Sequence, residues 1–282
     1  VKNLYIECKN LMYRIKHFCL LFVIVVLLAV FSPVLCRKGQ FLVVIGGGER
    51  PRPAMEAFVA RAGGEKARIL VITWASGVPD ESFEAIKSEL MSLRAGAAMQ
   101  SPKAPLTSGS REQFVTMLNE STGVFFSGGD QNRIMDVLAD ERLLQLLKEK
   151  YASGTPFAGT SAGAAVMSDP MLTGDADLRL LDGEKVGIRK GLGLIEDVIF
   201  DQHFLVRQRH NRLFGLLIRF PDALGIGIDE DTAVLIEDNR RLTVVGKTFV
   251  MIAFSKNKSR FFNVMFLGPG ESVYLSKFRR KR

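Results

Sequence analysis

Phe157-Ala158-Gly159-Thr160-Ser161-Ala162-Gly163-Ala164-Ala165-Val166 joins an apolar approach, two glycines around one serine, and an alanine-rich exit. The approach reads as a strand and the exit as the first turns of a helix. Strand, tight turn and helix are the setting in which Gly-x-Ser-x-Gly forms a nucleophile elbow. There the serine sits on strained backbone that lifts its hydroxyl clear of the sheet, and small neighbours let strand and helix pass closely. The helix start then offers unpaired N–H groups and a positive dipole end where an oxyanion would form.

Working outward, the chain alternates. Phe41-Leu42-Val43-Val44-Ile45 reads as a buried strand ending in Gly46-Gly47-Gly48-Glu49-Arg50. Neither a Rossmann nor a Walker pattern follows those glycines, so they are read as close backbone packing near a site rather than a phosphate cradle. Helices are expected over 54–62, 80–93, 111–118, 134–138 and 141–151, with strands over 68–73 and 123–126 between them. The segment 100–110 reads as loop. Ser127-Gly128-Gly129-Asp130-Gln131 ends the 123–126 strand, where open parallel sheets bind ligands. Beyond the elbow, 169–189 reads as a loop or hairpin over the site. A short strand over 198–200 leads to Asp201-Gln202-His203, then a helix over 204–220 and a strand over 224–228. The tail alternates into antiparallel strands closing one sheet edge. This order predicts an α/β fold: a mostly parallel central sheet flanked by helices, with a C-terminal antiparallel edge. No internal repeat or linker divides 38–282, which is read as one domain.

Composition bounds the function. The 282 residues are 47% hydrophobic and 24% charged, with a formal net charge of +8. Much of the positive charge lies at the two ends, and no basic stripe is interleaved with aromatics, so nucleic-acid binding is excluded. The uncharged run 18–31 behind a basic segment fits a signal-peptide core better than a full span. Pro33-Val34-Leu35 before Cys36 matches a lipoprotein acceptor site poorly. Residues 1–37 are therefore expected to be a signal peptide or membrane anchor, and the body exported or tethered. Cys8, Cys19 and Cys36 all fall in that leader, leaving no disulfide, cysteine zinc site or thiol nucleophile in the body.

A serine nucleophile needs a base, and the base needs an orienter. With His17 in the leader, His203 and His210 remain. His203 ends a strand expected on the same sheet edge as the elbow, whereas His210 falls on the following helix, so His203 is favoured. Asp229, Glu230 and Asp231 follow the next strand and are the candidate acids. The order Ser, His, acid departs from the Ser, acid, His order of α/β-hydrolases, which would also leave the C-terminal strands unexplained.

Phe126-Ser127-Gly128-Gly129-Asp130-Gln131, Gly159-Thr160-Ser161-Ala162-Gly163-Ala164, Asp201-Gln202-His203 and Gly227-Ile228-Asp229-Glu230-Asp231-Thr232 together resemble the cyanophycinases. These belong to the peptidase E (aspartyl dipeptidase) superfamily of serine peptidases, related in fold to class I glutamine amidotransferases. The resemblance covers the body and not the leader. It implies Ser161 as nucleophile, His203 as general base and Glu230 as acid. It further implies an oxyanion hole from the N–H groups of Ala162 and of the Gly128-Gly129 turn, Gly129 being the expected donor. Gln131, Asp201, Gln202, Arg207, Arg209 and Arg212 are the implied substrate-binding residues.

The substrate implied is a peptide or polypeptide rich in Asp and Arg, built of β-linked aspartyl-arginine units. Its carboxylate would meet Arg207, Arg209 or Arg212 with Gln131, because a guanidinium fork matches a carboxylate. Its guanidinium would meet Asp201. A solvated helix face is the plainer reading of the arginines. Attack is expected at the side-chain amide carbon, with no metal or cofactor. The further expected partners are the membrane, through the leader, and a second copy in a homodimer.

Overall fold

The computed structural model describes residues 39–255 and 261–278. The leader expected over 1–37 lies outside these residues. Among them no helix is long and apolar enough to cross a membrane.

In chain order the elements are β1 (Phe41–Ile45), α1 (Arg52–Ala62), β2 (Arg68–Ile72), α2 (Pro79–Ser92), β3 (Ala97–Gln100) and α3 (Ser108–Glu120). Next come β4 (Gly123–Phe126), α4 (Gln131–Val137), α5 (Glu141–Ala152), β5 (Phe157–Thr160) and α6 (Ala162–Ala165). The hairpin β6 (Met171–Ala176) and β7 (Val186–Arg189) precedes β8 (Val198–Gln202), α7 (His210–Arg219) and β9 (Leu224–Ile228). The chain closes with β10 (Thr232–Glu237), β11 (Arg241–Gly246), β12 (Val250–Ser255), β13 (Phe262–Leu267) and β14 (Ser272–Tyr274).

Eight strands form the central sheet in the order β14-β11-β10-β1-β5-β4-β2-β3. β1, β5, β4, β2 and β3 run parallel, and β10, β11 and β14 add antiparallel at the β1 side. β1 shows why a continuous apolar run is needed here. Successive side chains point to opposite faces, and helices cover both. Leu42 and Val44 enter one core cluster, while Phe41, Val43 and Ile45 enter the other. Burying each such side chain contributes roughly 1.5–3 kcal/mol.

The expected same-edge placement of the His203 strand is corrected. β8 and β9 lie in a second sheet, of order β13-β12-β9-β8, parallel between β8 and β9 and antiparallel beyond. The tail is divided likewise, with β10, β11 and β14 in the central sheet and β12 and β13 in the second. The second sheet has its own core, where Leu213, Leu216 and Leu217 of α7 meet Ile199 and Phe204.

Two boundaries also move, and one strand is added. Residues 204–209 are not helical and α7 begins at His210. His203 and Gln208 take left-handed backbone (φ 49° and 50°), which breaks a right-handed helix, and the Asp229 carboxylate accepts the N–H groups of Leu205 and Val206. α4 starts earlier than expected because Asp130 caps it, accepting the Asn132 N–H at 2.8 Å. β3 is the added strand: Ala-Ala-Met-Gln at a half-buried edge carries little strand signal.

Candidate active site

Ser161 sits between β5 and α6 at φ 53°, ψ −110°. Such backbone costs a non-glycine residue on the order of 1–3 kcal/mol and persists only where its surroundings enforce it. Here the Ser161 N–H donates to the Ile45 carbonyl at 3.0 Å, and its own carbonyl accepts the N–H groups of Ala164 and Ala165. The turn is thus tied to the neighbouring strand on one side and the helix on the other. Gly163 allows the close approach: a Cβ there would lie 2.3 Å from the Phe126 carbonyl oxygen.

The imidazole arrives from the other sheet. His203 follows β8, and its N–H donates to the Gly46 carbonyl at 2.8 Å. Glu230 lies in the turn between β9 and β10. That turn is pinned to the same glycine loop by Gly46 N–H to Thr232 O (3.0 Å) and Asp231 N–H to Gly47 O (2.9 Å). The three glycines after β1 are therefore the seam at which elbow, imidazole and acid meet. Gly47 has φ 127°, and a Cβ on it would lie 2.2 Å from His203 Cε1.

The side chains form a relay. Ser161 Oγ is 2.7 Å from His203 Nε2, and His203 Nδ1 is 2.6 Å from Glu230 Oε1. Burial holds the His203 imidazole below its usual titration range, opposed by its hydrogen bond to Glu230 and reinforced by the positive charge of Arg207. A neutral ring with Nδ1–H given to Glu230 leaves the Nε2 lone pair for the serine proton. The flanking acids do other work. Asp229 is buried and accepts two backbone N–H groups. Asp231 accepts the Glu49 N–H and an ion pair from Lys247.

Ser161 opens onto a cavity of about 280 Å³ lined by Gly47, Gly48, Arg50, Ser127 and Gly128, among others. Ala162 is the first residue of α6, and Gly129, at φ 133°, turns the chain above the serine's neighbour Gly128. Arg50 is a wall residue the sequence reading did not single out; Glu89 of α2 holds its Nε. Its place two residues beyond the glycine run that ends β1, the strand beside the elbow, was the available signal.

The six expected substrate residues divide. Asp201 and Arg212 are corrected as direct substrate contacts: they are 0% and 1% exposed and bound to each other, with Arg212 Nε 2.9 Å from Asp201 Oδ2. Arg209 is buried and donates to the Gln202 carbonyl at 2.6 Å, and burial with the nearby Arg212 charge brings its pKa down to about 10. Gln131 is buried and donates to the Leu172 carbonyl at 2.8 Å. Gln202, directly before His203, is buried with its Oε1 unpartnered, and Arg207 is exposed close to the imidazole.

A parallel sheet with a serine elbow at a strand end and a histidine and carboxylate delivered to it defines the class of protein as a serine peptidase. Residues 42–244 match the model of Peptidase family S51, and the chain belongs to that family. A cyanophycinase of Nostoc sp. is 37% identical over 225 residues, covering 75% of this chain and 72% of that one. A cyanophycinase of Synechococcus elongatus is 34% identical over 230 residues, covering 79% and 70%. The solved structure of a peptidase from an acI-B1 Actinobacterium superposes with a TM-score of 0.64 at 26% identity, covering 85% of this chain and 98% of that one.

Proposed function

We propose that the protein is a serine exopeptidase that degrades cyanophycin to β-Asp-Arg dipeptides, with Ser161 as nucleophile, His203 as base and Glu230 as its orienter. The observation that carries this reading is the continuous relay from Ser161 through His203 to Glu230, at 2.7 Å and 2.6 Å, in a chain akin to named cyanophycinases. His203 takes the serine proton as Oγ attacks the scissile carbonyl. The N–H groups of Ala162 and Gly129 hold the oxyanion, and the His203 imidazolium gives its proton to the leaving amine. Water activated by the same ring then frees the acyl group.

Release of intact β-Asp-Arg leaves the side-chain amide whole. The bond cut is then the backbone peptide bond between successive aspartates, and this amends the side-chain attack expected from the sequence. Of the substrate's groups, the carboxylate suits Arg50, which lines the cavity, and Arg207, exposed close to the imidazole. Export or tethering through residues 1–37 belongs to the same proposal, and cell fractionation with N-terminal sequencing checks it.

The test is product analysis on purified cyanophycin. The proposal expects β-Asp-Arg, loss of turnover in Ser161→Ala at unchanged melting temperature, and fluorophosphonate labelling of Ser161. Free arginine as the product would make the enzyme an isopeptidase. Cleavage of α-linked Asp dipeptides alone would assign it an aspartyl dipeptidase activity instead.

A further inference from the structure

A second cavity, of about 820 Å³, lies beside the catalytic one and has no part in the relay. It opens where β2 ends, in the segment Thr73 to Ser76, and is walled on its far side by α4. The two cavities share a partition. Ser76 lines the larger and Ser82 the smaller, and their hydroxyls are hydrogen-bonded at 2.7 Å. The path between them is short. A Cβ on Gly128 would stand 3.5 Å from Ser161 Cβ, and one on Gly129 would stand 2.1 Å from the Ala75 carbonyl oxygen. The Gly128-Gly129 turn, close to Ser161 at one residue and to Ala75 at the next, therefore separates the nucleophile from the 73–76 segment that walls the second cavity.

The lining carries both signs of charge. Arg133 gives only a 3.5 Å hydrogen bond to the Ser76 carbonyl and pairs with no carboxylate among the described residues. Lys103 is held by Asp80, and Asp136 by Arg189. The Thr73 hydroxyl is buried in the lining without a hydrogen-bond partner. A cavity with an uncommitted guanidinium, a nearby carboxylate and an unused hydroxyl suits a ligand that bears a carboxylate and a guanidinium together.

We propose that this cavity is a second subsite, binding the aspartyl-arginine arm next to the unit being cleaved, with Arg133 on its carboxylate and Asp136 on its guanidinium. This deepens the cyanophycin reading and rests on it for the identity of the arm. The consequence is that oligomers of two or more units bind across both cavities, whereas a single β-Asp-Arg binds only the first. Because the contacts are near the surface, affinity for oligomers falls as salt rises.

Trp74 is the only tryptophan of the chain and lines this cavity, so its emission reports occupancy. The experiment titrates Ser161→Ala protein with a (β-Asp-Arg) oligomer and, separately, with the single dipeptide, reading Trp74 fluorescence and calorimetric binding. The oligomer is expected to change Trp74 emission and the dipeptide to leave it unchanged. Adding Arg133→Glu, an exposed position whose folding is checked by melting, is expected to weaken oligomer binding at least tenfold. Oligomer binding with unchanged emission, a dipeptide that shifts emission equally, or unaltered affinity in Arg133→Glu each overturns the subsite. Hydrolysis by the wild-type chain is scored independently. Turnover of the polymer with a silent Trp74 sinks the subsite alone, and a Trp74 response without turnover sinks the catalytic reading alone.

Discussion

Replacing Gly47 with alanine tests whether the glycine seam, rather than the three relay side chains by themselves, sets the catalytic geometry. The added methyl carbon would fall 2.2 Å from His203 Cε1 and 2.6 Å from both ring nitrogens, at a residue with φ 127°. Ordinary contact needs about 3.4 Å or more, so the ring must retreat by roughly 1 Å or the loop must open. A misplacement of about 1 Å costs on the order of a hundredfold in rate. Loss of both ring hydrogen bonds extends this toward about 10⁶, the loss seen when a triad is dismantled. The positive φ adds roughly 1–3 kcal/mol of folding strain.

Gly64→Ala separates these effects. Gly64 also has positive φ (59°), but nothing lies within 4 Å of the Cβ it would carry. That variant should lose about 1–2 kcal/mol of stability and keep its activity. The assay is kcat/KM on the oligomer together with the rate of fluorophosphonate labelling, both well below each variant's melting temperature. A Gly47→Ala protein within threefold of wild type in both would refute the seam argument.

Three further outcomes are expected. Glu230→Gln keeps the shape but removes the charge that stabilises imidazolium, and kcat should fall by about 10³–10⁴ with little change in KM, measured by single-turnover acylation. The acid limb of kcat/KM should lie below the ordinary histidine range, since burial holds His203 down; Arg207→Ala removes a positive charge that opposes imidazolium, so the limb should move to higher pH at low salt, and the difference from wild type should shrink at high salt. Arg212→Met strands the buried Asp201 carboxylate and should cost about 3–5 kcal/mol, or a melting temperature lower by roughly 6–20 °C; an unchanged melt with a raised KM would return Arg212 to direct substrate contact.

What the sequence determined by itself was local chemistry in a fixed frame. The elbow was legible because strand, turn and helix starts are written in adjacent residues, and the strand-end placement of His203 and Glu230 followed from counting histidines and strands. Turn conformation and apolar periodicity are short-range properties, so a single chain displays them. Pairing is not short-range. Nothing local in β8 and β9 assigns them to a second sheet, because apolar strands of this length fit either one. Nor could residue type separate Glu230 from Asp229 and Asp231, three carboxylates in one turn that backbone direction sends to three different partners. Arg207, Arg209 and Arg212 looked alike along the chain, yet one is exposed, one braces the Gln202 carbonyl and one neutralises Asp201. Only the tertiary structure decided those roles, because the cost of burying a charge depends on which groups the fold brings beside it.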